Sequence, residues 1–146
     1  MKLEDIQREW SEDAPKKDDL LILDEIAIDT YRLHNKYFKI LSDERLRLKK
    51  YKQEFDMLYL HRMEFLNKTL DPDIQKMYGW VYFNHTILKE DRKMYMNTFP
   101  DIVAMNQKIA IQEEKVDYLE KITDMISSRN FNIRAAIDFM KFKNGG

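Results

Sequence analysis

The chain has 146 residues, 35% of them charged, with a formal net charge of −1; that length supports one domain and not two full cores. Three Gly and three Pro are too few for the turns of a sandwich, barrel or doubly wound sheet, so the composition is that of an all-α chain. The glycines, Gly79, Gly145 and Gly146, cannot write a Walker A loop or a dinucleotide fingerprint, and zero Cys excludes disulfides, thiolate nucleophiles and zinc fingers.

Residues 1–19 predict an N-terminal arm. Leu3, Ile6 and Trp10 fall at helical spacing and the helix ends before Ala14-Pro15, after which Pro15 and a Lys-Lys-Asp-Asp run form a linker. The acidic opening Met1-Lys2-Leu3-Glu4-Asp5 has no apolar run for a signal peptide, and no stretch nears the roughly 20 apolar residues of a membrane span. A soluble intracellular protein is the expectation. Residues 20–70 contain no Gly or Pro. Their apolar positions, among them Leu33, Tyr37, Ile40, Leu48, Tyr51, Phe55, Leu58 and Phe65, keep the three-to-four rhythm of one helical face. They predict one long helix, or two joined near Ser42-Asp43. Leu70-Asp71-Pro72-Asp73 stops it.

Residues 71–97 read as an irregular connector with an aromatic cluster (Tyr78, Trp80, Tyr82, Phe83) around Gly79 and a short extended piece at Met94-Tyr95-Met96. Thr98-Phe99-Pro100-Asp101 predicts a Thr-capped start for a second long helix over 98–130. Asn130 is expected to end that helix, and Asn132 to cap a last helix over 131–146, with Phe131 as a staple and Ile133, Ala136, Ile137 and Met140 on one apolar face. The fold class expected is an all-α, coiled-coil-like helical hairpin with a short C-terminal helix, in a single domain.

The near-zero charge hides a segregation. Residues 1–29 carry −6, residues 30–70 carry +5, residues 71–128 carry −3 and residues 129–146 carry +3. Electrostatics is therefore local, and a polyanion partner is compatible with the total. On the long helix, Arg32, Lys36, Lys39, Arg47, Lys50, His61 and Lys68 form a line beside the apolar stripe, broken by Asp43 and Glu54. Arg45, Lys49 and Lys52 lie opposite with Tyr59. Cations beside aromatic rings suit a single-stranded nucleic acid, whose phosphates pair while its bases stack. The alternative is a solvated face whose lysines pair with acids of neighbouring helices. Arg62 falls at the centre of the apolar stripe, where a guanidinium must find either an inter-helix salt bridge or an anion. No Glu precedes His34, His61 or His85 by three, so a di-metal bundle site is not written here, and no Ser sits in a nucleophile elbow. Neither a cofactor nor catalysis is indicated.

Ile87-Leu88-Lys89-Glu90-Asp91, Met94-Tyr95-Met96-Asn97, Val116-Asp117-Tyr118-Leu119 and Ser128-Arg129-Asn130-Phe131-Asn132-Ile133, followed by Ala136-Ile137, resemble the UvsY family of recombination mediators of T-even-related tailed phages. The resemblance covers most of the chain. It implies a non-enzymatic protein that binds single-stranded DNA and helps load a UvsX-like phage recombinase onto strands coated by the phage single-strand-binding protein. It also implies a ring-like homo-oligomer of six or seven subunits in the cytoplasm of an infected bacterium, serving recombination, replication and repair. The DNA-binding residues expected are Arg45, Arg47, Lys49, Lys50, Lys52, Tyr59, Arg62 and Lys68. The family's Lys two before the Arg is replaced here by Leu60, which shifts weight onto the upstream lysines. Phe131, Ile133, Ile137 and Met140 are the assembly residues the resemblance implies. The acidic residues 1–29 are placed to compete with DNA for the basic helix. A structural coiled-coil adaptor without nucleic-acid binding is the alternative function.

Overall fold

The computed structural model describes residues 1–14 and 23–145. The linker expected from Pro15 and the helix start at Leu20 lie outside the described residues. In chain order the helices are α1 (Leu3–Asp13), α2 (Leu23–Leu66), α3 (Pro72–Tyr78), a 3-10 turn (Lys89–Asp91), α4 (Arg92–Thr98) and α5 (Pro100–Lys143). No strand occurs among the described residues, and none of the helices is long and apolar enough to cross a membrane.

The chain divides into two compact units, residues 1–46 with 113–146, and residues 47–112. In the first, α1 and the opening half of α2 bury Ile6, Leu33, Tyr37 and Leu41, while α5 contributes Val116, Leu119, Ile122, Ile126 and Ile133 at three-, four- and seven-residue steps. Arg134 donates to the Tyr31 hydroxyl at 2.8 Å, Arg45 meets Glu120 at 2.9 Å, and Lys115 lies 3.6 Å from Glu44. Partners fall along α5 as they rise along α2, so these segments are antiparallel. Glu44 is buried, and the α-amino group of Met1 also approaches it, at 3.6 Å.

α1 is fastened to α2 by its acids. Asp13 accepts from Lys36 at 2.7 Å and from the buried Tyr37 hydroxyl at 2.8 Å, Glu9 lies 3.1 Å from Lys36, and Trp10 sets its ring edge-on to Tyr37. Burial opposes the charge on Asp13, but the hydrogen bonds from Lys36 and Tyr37 hold its carboxyl below the ordinary 3.8. Hydrogen bonding to Asp13 raises Lys36, and burial raises the Tyr37 phenol. A carboxyl depressed in the folded state stabilises it above the unfolded value, and that contribution disappears as pH falls through the folded value. Protection of the residue 3–13 amides, measured as exchange relative to the intrinsic rate at each pH, is therefore expected to be high at neutral pH and to fall only below the ordinary carboxylate range. Absence of protection at neutral pH would refute the clamp.

The second unit packs around Phe65, Leu66, Leu70, Ile87, Met96, Phe99 and Ile102, flanked by Phe55, Leu58, Trp80, Tyr82, Phe83 and Tyr95. α2 ends at Leu66 and not at Leu70. Thr69 N–H reaches Glu64 O and Lys68 N–H reaches Phe65 O, a Schellman closure that puts Lys68 at φ 59. A side chain in that left-handed region costs about 1 kcal/mol. Asp71 then caps α3 by accepting from Asp73 N–H, with Pro72 in the first turn, and Gly79 supplies the left-handed C-cap at φ 71.

Three sequence expectations are corrected. Met94-Tyr95-Met96 is helical within α4, because a helical turn carries Met96 into the core. Thr98 does not cap α5: it closes α4, its hydroxyl bonds Tyr95 O at 3.0 Å, and Phe99 holds the extended position before Pro100. The 98–130 and 131–146 helices are one. With no Gly or Pro to break it, α5 runs through Asn130 to Lys143, Ile133 stays in register seven residues after Ile126, and the supposed staple Phe131 is 71% exposed. There is accordingly no separate short C-terminal helix.

Candidate nucleic-acid interface

Seven of the eight candidate DNA-binding residues lie in the second unit; Arg45 lies in the first. The second unit has eleven Lys or Arg against eight Asp or Glu, a net +3. The first has fourteen against eighteen, a net −4. The positive charge that the total conceals is therefore gathered in residues 47–112.

Within that unit the last five turns of α2 present Arg47, Lys49, Lys50 and Lys52 to solvent, and Tyr59 is exposed beside Phe55, ring centroids 5.8 Å apart. Lys49 and Lys50 make no ion pair with an acid among the described residues, so their charges are available to a ligand. Lys68 is exposed on the turn after α2. Lys108, which the sequence pattern did not single out, sets its ammonium 4.2 Å from the Tyr51 ring centre. Its only sequence signal is that no other Lys or Arg occurs in residues 100–114.

Arg62 is elsewhere. It is 8% exposed. Its Nε and one terminal nitrogen grip Asp101 at 2.8–3.2 Å, and the guanidinium carbon lies 3.7 Å from the Trp80 ring centre and 4.1 Å from that of Phe99. Its faces are covered by rings and its donor edge by a carboxylate, so a phosphate reaches it only by displacing Asp101. This is the inter-helix salt bridge that the central position on the stripe allowed. Trp80 in turn stacks on Tyr78, centroids 4.0 Å apart, and the Tyr78 hydroxyl shares a 2.8 Å hydrogen bond with His61 Nδ1.

In the first unit most of the cations of α2 are already occupied, with the exposed Lys39 the exception. Arg32 pairs with Asp29 at 2.7 Å, Lys36 is held by Glu9 and Asp13, and Arg45 is held by Glu120. The acids of α1 thus neutralise one cation of α2. Of the candidate assembly residues, Ile133 is buried in its own unit, Ile137 is half-buried, and Phe131 and Met140 are exposed.

A family profile described as recombination, repair and ssDNA binding protein UvsY matches residues 9–146. Two crystal structures of the bacteriophage T4 recombination mediator protein UvsY are similar in fold. One superposes with a TM-score of 0.82 at 19% identity, covering 99% of this chain and 98% of that one. The second, in another lattice, gives 0.79 at 18% identity, covering 97% and 99%. No curated protein matches the sequence.

Proposed function

We propose that this chain, which belongs to the UvsY family of recombination, repair and ssDNA-binding proteins, holds single-stranded DNA on its second unit and acts as a recombination mediator. The observation that carries the location is the exposed, unpaired cationic pair Lys49–Lys50 on α2, in a unit of net +3. Phosphates pair with Lys49, Lys50, Arg47 and Lys52, with Lys68 at the end of the row, and Tyr59 offers a face to a base. Arg62 supports the wall behind this surface without touching the strand. Many weak contacts of this kind bend the strand and loosen a competing single-strand-binding protein, and a phage recombinase then nucleates on it. The protein works by binding, not by catalysis, in the cytoplasm of the infected host. It does so as a ring-like homo-oligomer, with Ile137 and Met140 offering the half-covered edge through which copies join.

Titration of a labelled single-stranded oligonucleotide across about 50–200 mM salt tests the location. The double variant Lys49→Ala/Lys50→Ala is expected to bind more weakly, with the slope of log K against log salt shallower by about 1.4, roughly 0.7 per lost contact. An unchanged slope moves the site off this helix.

A further inference from the structure

In the second unit α2 turns Phe55, Leu58, Arg62 and Phe65 toward the core. At about 100° per residue, Lys49, Lys50, Gln53, Met57 and Leu60 fall on the opposite face, all within an arc of about 100°. Met57 is 53% and Leu60 51% exposed, and Gln53 makes no hydrogen bond among the described residues. These side chains do little for the fold of the chain itself. Tyr59 stands about 130° from the centre of that arc, on the flank of Lys52, so it faces away from a phosphate held by Lys49 or Lys50.

The face is ordered along its length. Two cations stand at one end, an amide in the middle and two apolar side chains at the other, with Lys50 and Met57 ~10 Å apart along the axis. A nucleotide has the same order: a phosphate, a base edge of donors and acceptors, and a flat apolar base face. The Gln53 amide both donates and accepts, so it meets the edge of any base. The Met57 thioether is soft enough to pack on a flat ring, and Leu60 adds apolar area beside it. Asp56, exposed at the margin of the arc, repels phosphate from the apolar end and leaves the backbone at the lysines. A second helix would need an unbroken apolar seam here, and Lys49, Lys50 and Gln53 interrupt it.

We infer that Gln53, Met57 and Leu60 are the base-contacting half of the single-stranded-DNA surface: a base edge meets Gln53, its face packs on Met57 and Leu60, and the adjoining phosphates stay on Lys49 and Lys50. This rests on the location proposed above and deepens it, adding contacts that carry no charge and therefore no salt dependence.

The test compares the wild-type chain with Met57→Ala/Leu60→Ala, Gln53→Ala, Leu60→Tyr and Lys49→Ala/Lys50→Ala. Each is titrated with a labelled oligothymidylate and with an abasic deoxyribose-phosphate oligomer of the same length, while helical dichroism follows the fold and light scattering the assembly mass. The apolar pair is expected to weaken oligothymidylate binding by about fivefold, with salt slope, abasic affinity and mass unchanged. Gln53→Ala does the same with a smaller loss. Leu60→Tyr offers a ring in place of an aliphatic chain and is expected to tighten oligothymidylate by about the same factor without moving the abasic probe. Unchanged oligothymidylate affinity in the apolar pair or in Leu60→Tyr, an equal change on both probes, or a fall in mass, which would mark a seam between copies, overturns the inference. A lysine pair that keeps the wild-type salt slope overturns the location beneath it instead.

Discussion

Arg62→Ala is expected to lower stability by about 3–5 kcal/mol, the cost of leaving one half of a buried ion pair without the other. That is a large part of the roughly 5–15 kcal/mol that holds a domain together. The effect is large because three kinds of contact go at once: the hydrogen bonds to Asp101, the cation–π contacts with Trp80 and Phe99, and the volume of the side chain. Arg62→Lys is not a rescue, since an ammonium cannot grip a carboxylate through a planar fork while lying flat between two rings. Arg62→Met combined with Asp101→Leu is the informative partner, because removing both charges recovers much of the loss. Urea unfolding followed by helical dichroism measures all three, and an Arg62→Ala midpoint close to wild type would place the guanidinium in water. A loss of DNA binding in any Arg62→Ala protein, including one that also carries Lys49→Ala and Lys50→Ala, would report unfolding.

Phe65→Ala should cost a similar amount, about 3–5 kcal/mol, and for an apolar reason. Phe65 stacks on Tyr82 with centroids 5.1 Å apart and planes 7° from parallel. It also meets Trp80, Phe83 and Phe99 edge-on at 5.5, 6.1 and 6.5 Å. No other ring in this unit is shared by so many elements: α2 supplies it, the connector after α3 covers it, and the start of α5 closes it. Truncation leaves a cavity whose lining rings cannot all collapse inward, whereas Phe65→Leu keeps most of the volume and should cost clearly less. Thermal unfolding separates the two substitutions; equal losses would mean that the cluster tolerates a hole. Because the Arg62 guanidinium lies 5.6 Å from the Phe65 ring, the Phe65→Ala and Arg62→Ala losses are not expected to add.

The long helices were legible because Gly and Pro are absent for tens of residues while the apolar rhythm persists. α1 was legible because Leu3, Ile6 and Trp10 share a face and Pro15 follows. What escaped has particular physical causes. The end of α2 was placed at the Asp71-Pro72 signal, since the true stop uses a lysine in a conformation usually advertised by glycine. α4 is a seven-residue helix, about two turns and too short for a helical apolar rhythm to stand out, so its methionines passed for a strand. The oddness of Arg62 was visible in sequence, but its partner Asp101 is fixed by the register of two antiparallel helices, a tertiary quantity. The expected assembly residues, Phe131, Ile133, Ile137 and Met140, mixed the buried Ile133 with the exposed Phe131 and Met140, because two apolar faces recur at helical spacing on the same stretch of α5.

The division of the chain also sets a timetable. Residues 47–112 are continuous, so everything that unit needs leaves the ribosome in one stretch. The other unit is stitched from residues before 47 and after 112, and its hydrogen bonds join partners 75 and 103 positions apart. Closing so long a loop is slow, though its added entropy grows only as the logarithm of its length. During synthesis Leu33, Tyr37 and Leu41 must wait, uncovered, for α5 to arrive, and the acidic N-terminal helix, whose partners Lys36 and Tyr37 are already made, is the one element able to shield them meanwhile.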